Sequence, residues 1–225
     1  MEYLDLSPYD YLGFPLPMLT VGWLGRRHGV QGAGATPVTG VELRRLRTAS
    51  QRLGSITLGW HDCAFCPDFS GNGEYRYYLP RGEIYAAPMM IVHYVEVHGY
   101  RPPRDLLDGL RLVGKLRWDW RAEHLRSVLL NQSADFDFRC EAAVDLANWK
   151  DPRALEALRR AAHDAELADV AGDQIGRSLA VFVNCGLASD LRADDMHDMV
   201  RYGMTEASRP TGMPVHRHAG PEGGC

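Results

Sequence analysis

The sequence predicts an α+β fold in which a small mixed domain precedes an α-helical one. Three observations lead there. A strand–turn–strand pattern sits between a pair of cysteines and a pair of histidines. From residue 104 onward the apolar spacing is helical, and the connections are short enough to make neighbouring helices antiparallel. Part of that helical stretch also matches a segment about 35 positions later. The expected boundaries are a first domain over residues 1–115, a helical domain over 116–204 and a disordered tail over 205–225.

Residues 1–24 hold Tyr9, Tyr11, Phe14, Pro15, Pro17 and Trp23 and read as an irregular segment packed on the first domain. Gly25, Gly29, Gly32, Gly34 and Gly40 mark a loop. Thr39 with Glu42 three residues on has the form of a capping box and opens a helix over 41–53. Residues 56–66 lead through a short strand into Cys63-Ala64-Phe65-Cys66. Residues 74–79 have strand composition, Pro80-Arg81-Gly82 is a turn, and 83–86 return. Pro88 suits the first turn of a helix that runs to His98. Gly99 fits the position just past its end, and Pro102 and Pro103 stop any continuation.

Candidate helices follow over 104–115, 118–131, 138–148, 151–164, 170–184 and 193–202. Apolar and small residues coincide at 140/175, 143/178, 144/179, 146/181 and 147/182, with a helix opening at Asp151-Pro152 in between. The arrangement is HEAT-like, and an ordinary helical bundle is the alternative. If the segments stack, the apolar faces of 140–147 and 175–182 meet, and Leu146 and Leu158 are buried. Residues 205–225 are rich in Pro, Gly, His and Ser with little apolar content, which is the composition of disorder.

The cysteines and histidines carry the chemistry. Cys63 and Cys66 form a C-x2-C pair, a hairpin-bearing stretch of 26 residues follows, and His93 and His98 form H-x4-H. This is ligand spacing for one structural zinc ion. Two thiolates and two neutral imidazoles make a tetrahedral, borderline-soft set with no open position. On a regular helix, residues five apart diverge by about 140°, so the helix must tighten or end at His98, which Gly99 allows. His61 is a rival ligand or a partner for a thiolate. Glu96 makes the run H-x-x-E-x-H, which matches neither zinc-protease pattern, and the deaminase order is reversed. Glu96 is nonetheless the acid/base candidate if the metal is catalytic.

Composition narrows the classes of function. At 225 residues and 45% hydrophobic the chain can bury one large core or two small ones. The net charge is −4, divided as +1 over residues 1–120 and −5 over 121–225, which argues against a nucleic-acid binder and would steer a basic partner to the helical half. Asp135, Asp137, Glu141 and Asp145 are candidates to face such a partner. Lys115 and Lys150 are the only lysines, an arginine bias typical of GC-rich bacterial genomes. Five cysteines, an odd number, argue against a disulfide framework; Cys140 and Cys185 are expected to be buried thiols, and Cys225 ends the tail. Neither a signal-peptide pattern nor a run of the ~20 apolar residues that a membrane span needs is present, so a cytoplasmic protein is expected.

Other signals are weaker. The loop Gly29-Val-Gln-Gly-Ala-Gly precedes a helix but lacks the lysine of a phosphate-binding loop. No G-x-S-x-G stands anywhere. His216 and His218 suggest only incidental metal pickup, and Tyr75, Tyr77 and Tyr78 read as strand packing rather than as a base-stacking platform.

Trp60 to Cys66, Gly71 to Arg76 and Tyr85 to Pro103 together read W-H-x-C-x-F-C, G-N-G-E-x-R and Y-A-A-P-x-x-I-x-H-Y-V-x-x-H-G-Y-x-P-P. On these the first half resembles a family of uncharacterised bacterial proteins, over roughly residues 10–110. The resemblance implies a metal site and supplies no activity. The functional expectation is a non-catalytic, zinc-stabilised binding module, an adaptor or immunity-like protein that meets another protein through its helical domain. The alternative is a zinc-dependent enzyme using Glu96.

Overall fold

Alternation along the strands builds the layer on which the rest of the molecule packs. The computed structural model describes residues 1–32, 34, 36–112 and 116–207. Four strands, β1 (Leu19–Thr20), β2 (Ser55–Asp62), β3 (Ser70–Tyr78) and β4 (Ile84–Pro88), lie in the order β1-β4-β3-β2. β1 runs parallel to β4, and the other pairs are antiparallel. The helices are α1 (Gly40–Ala49), α2 (Ile91–His98), α3 (Arg104–Gly109), α4 (Trp120–Leu130), α5 (Phe136–Asp145), α6 (Pro152–Ala162), α7 (Ala165–Asn184) and α8 (Asp198–Ala207). The fold is α+β.

Side chains alternate across a strand, so β3 sends Tyr75 and Tyr77 to one face and Glu74, Arg76 and Tyr78 to the other. Tyr77 stands opposite Tyr85, and Arg76 opposite Ala86, which carries the division onto β4. The first face, with Tyr85 and Ala87, packs on Leu46 of α1, Ile91 and Tyr94 of α2 and Leu106 of α3. The second face, with Ile84 and Ala86, shares a core with Ala122, Leu125, Leu146 and Trp149 of the helical half. Leu16 and Met18 of the N-terminal segment join that second core.

Polar links cross the same boundary. The Arg76 side chain is fully buried and donates to Glu74 on its own strand and to Glu141 and Asp145 of α5. Tyr78 donates its hydroxyl to Asp145 at 2.8 Å, and Tyr9 donates to Glu74. Arg121 of α4 clamps the β3–β4 turn by donating to the carbonyls of Leu79 and Glu83 at 2.9 and 3.0 Å. These contacts take two residues out of the expected acidic face: Asp145 is 1% exposed and Glu141 turns inward to Arg76, whereas Asp137 and Asp135, which caps α5, are exposed.

In the helical half α4 pairs with α5 and α6 with α7, while α4 lies beside α6 and α5 beside α7. Pair therefore stacks on pair, an arrangement consistent with a repeat domain. Leu146 and Leu158 are both fully buried, and Ala143, Leu146 and Ala147 share one core with Ile175, Leu179 and Phe182, as expected.

Several boundaries move for local reasons. Pro88 ends β4 instead of opening α2. The Asp135 and Asp164 side chains accept backbone N–H groups and start α5 and α7 earlier than the apolar spacing suggests. α8 occupies 198–207 instead of 193–202, so residues 205–207 are helical; the remainder of the proposed tail, with His216, His218 and Cys225, lies outside the described residues. Cys140 is half-buried and Cys185 is exposed just past the end of α7, against the expectation of two buried thiols. The α1 N-terminus is closed by the Thr39–Glu42 capping box, whose carboxylate opposes an anion there. No helix among the described residues is long and apolar enough to cross a membrane.

Candidate metal centre

The centre is assembled by the chain just after β2 and by the two turns of α2. The Cys63 N–H donates to the Phe69 carbonyl at 2.9 Å, closing the loop that carries both cysteines. Within it the Phe65 N–H points at Cys63 Sγ, 3.5 Å away. α2 delivers His93 from its first turn and His98 as its last residue. Gly99 then turns left-handed, at φ 67°, and Tyr94 O accepts from both Gly99 and Tyr100. That is the glycine-closed helix end that the spacing of five requires. Without it the chain would continue helically and carry Tyr100 away from the Tyr94 carbonyl.

The four donor atoms converge within 4.8 Å of one another. Cys63 Sγ is 3.3 Å from His98 Nε2, Cys66 Sγ is 3.4 Å from His93 Nε2, and the two Nε2 atoms are 3.1 Å apart. A tetrahedron built with Zn–N of about 2.0 Å and Zn–S of about 2.3 Å has N···N edges of about 3.3 Å and S···N edges of about 3.5 Å. The side chains thus already stand at the corners of a site that could hold a metal ion of this size. Aromatic rings fix the imidazole planes: Phe69 stacks on His93 at 4.9 Å and 15°, and Phe65 tilts against His98 at 5.4 Å. Burial pushes the Cys63 thiol up and, with the neighbouring His98, pushes the His93 imidazole down. A bound cation would reverse the first effect by stabilising the thiolate and would use the neutral imidazole that the second supplies.

His61 and Glu96 are placed elsewhere. His61 is outside the cluster, its ring edge-on to Tyr11 at 6.3 Å and its Nε2 buried without a hydrogen-bond partner. Glu96 pairs with Arg47 of α1. The Arg76 network was missed in the sequence reading, although Glu74-Tyr75-Arg76-Tyr77-Tyr78 held the signal. Two charges on alternate positions of an aromatic strand share a face with Tyr78 and so demand buried partners.

Residues 1–111, which contain all four donors and the whole sheet, match the model of an uncharacterised family, Domain of unknown function (DUF7919). No curated protein and no solved structure matches the chain.

Proposed function

We propose that the protein is a zinc-stabilised binding module in which the metal is structural and the helical half meets another protein. The observation behind this reading is the donor set: two cysteine sulfurs and two imidazole nitrogens at tetrahedral separations would complete a zinc coordination sphere and leave no position for water or substrate. Glu96, the acid/base of the enzymatic alternative, is engaged with Arg47. With Glu141 and Asp145 turned inward, the exposed acidic groups of the helical half that could meet a basic partner include Asp135 and Asp137 at the start of α5 together with Glu166, Asp169, Asp194 and Asp195.

Cobalt substitution tests the centre. Co(II) in place of zinc is expected to show the intense visible bands of a four-coordinate ion together with thiolate charge transfer, unchanged on adding azide. A spectrum that shifts with azide marks an open coordination position and favours the enzyme reading. Capture from the native host, repeated with Asp137, Glu166, Asp169, Asp194 and Asp195 reversed to Lys, tests the surface; equal recovery of the same partner rules that surface out.

A further inference from the structure

A cleft of about 480 Å³ opens between β2, the start of α2 and the N-terminal segment, within the size range of small-molecule sites. None of the four metal donors lines it, although Ala64 and Tyr94 do. Its walls are aromatic and thioether groups, chiefly Tyr11, Trp23, Trp60, Met89 and Met90. Tyr11 stands edge-on to Trp23 at 5.8 Å, so the two rings meet at a corner.

The charges of the lining are one-sided. Glu2, Asp62 and Glu74 line the cleft, no Arg or Lys does, and Met1 lies in the lining with its α-ammonium. Glu2 is engaged by the backbone N–H groups of Arg27 and His28, and Glu74 by Arg76 and Tyr9. Asp62 is exposed and, among the described residues, forms no ion pair. Beside it the buried Nε2 of His61 has no hydrogen-bond partner.

The backbone is bent to form this wall. β2 pairs with β3 at Ile56↔Gly73 and again at His61↔Gly71, so residues 57–60 bulge outward opposite Asn72 alone. Thr57 and Asn72 brace the bulge with hydrogen bonds of 2.9 and 3.2 Å. The bulge leaves Trp60 57% exposed at the cleft wall. Bulges of this kind re-aim side chains at binding sites.

We propose that this cleft binds a small organic cation, with its charge beside Asp62 and its body against the faces of Tyr11 and Trp60. Cations gain from the aromatic faces and from Asp62, the lining carboxylate that neither a backbone donor nor an arginine engages, whereas the only positive group an anion finds in the lining is the Met1 α-ammonium. The inference goes beyond the reading of the metal centre and stands without it, since it uses no metal donor.

Benzamidine, benzamide and benzoate are near-isosteric probes that differ in charge, and titration followed by tryptophan fluorescence and calorimetry separates them. Benzamidine is expected to bind saturably and about tenfold or more tightly than benzamide, with benzoate not binding. Asp62→Asn is expected to bring benzamidine down to the benzamide level, and Trp60→Leu to weaken it several-fold, with zinc content and melting temperature unchanged. If Asp62→Asn loses metal, Trp60→Leu decides alone. Equal affinity for benzamide and benzamidine, binding of benzoate, insensitivity to Trp60→Leu, or no saturation by about 10 mM overturns the proposal. Tighter binding of acetyl-Gly-Arg-Gly-amide than of benzamidine overturns it in favour of a basic peptide.

Discussion

Arg76 shows what a single buried charge does in this protein. Its guanidinium lies over the Phe14 ring at 4.3 Å and donates to Glu74, Glu141 and Asp145. Removing it leaves three carboxylates facing one another, those of Glu74 and Asp145 buried, so Arg76→Met is expected to destabilise by about 3–5 kcal/mol in denaturant unfolding. Asp164 shows the milder case. A hydrogen bond from Arg139 holds its carboxyl below the usual carboxylate range. Its contribution is therefore present above about pH 4 and is lost as the pH falls through its folded pKa. Asp164→Asn keeps a cap for α7 but should flatten the acid limb of the stability profile, measured by thermal melts from pH 7 downward. The thiols also separate by environment. Burial pushes Cys140 up to about 11, whereas Cys185 is exposed. Brief iodoacetamide treatment of the native protein, read by peptide mass spectrometry, should label Cys185 well before Cys140. The sequence placed both among apolar helical neighbours and so could not distinguish them. Cys185 falls just past the C-terminus of α7, where apolar periodicity no longer reports burial.

At the scale of elements, the features written in adjacent residues were the legible ones. The Thr39–Glu42 capping box, the Pro80–Gly82 turn and the Gly99 helix end all appear where the sequence puts them, because each is decided within a few residues. The β2 bulge was not legible, since a bulge is a property of two strands and only β3 reveals it. The helical half carries a further sequence signal besides its apolar matches. Asp119 and Asp151 cap α4 and α6, and each is bound by the arginine two residues on, Arg121 and Arg153. This D-x-R pair is a local mark shared by the starts of two stacked helices. α7 and α8 approach through glycines: a methyl group on Gly176 would run into the Val200 carbonyl, and one on Gly203 into that of Asp173. Gly203→Ala is accordingly expected to destabilise by about 1–3 kcal/mol in chemical unfolding. Similar unfolding midpoints for variant and wild type would show that the two helices can separate without loss.

At the scale of the whole molecule, the sheet is used from both sides, so what happens at the metal centre should be felt in the helices. Metal binding in small domains is folding free energy, on the order of 10 kcal/mol apparent. Chelation, or Cys63→Ser, is expected to lower the unfolding of the sheet and of the helical half together as one calorimetric transition. Two resolved transitions, with the upper one unmoved, would show two independent units. The sequence indicated two compositional halves but not this coupling, because which face of β3 meets which helices depends on partners about 65 to 70 residues away, such as Asp145 for Arg76. That joint has a consequence for inheritance. Arg76 lies within the segment matched by the uncharacterised family, whereas Glu141 and Asp145 lie beyond residue 111. A lineage that spliced this segment onto a different neighbour would carry an orphaned guanidinium. Among chains that share the first segment, the residue at position 76 should therefore change in step with the one at position 145, and descent should bind the two halves as firmly as the sheet does.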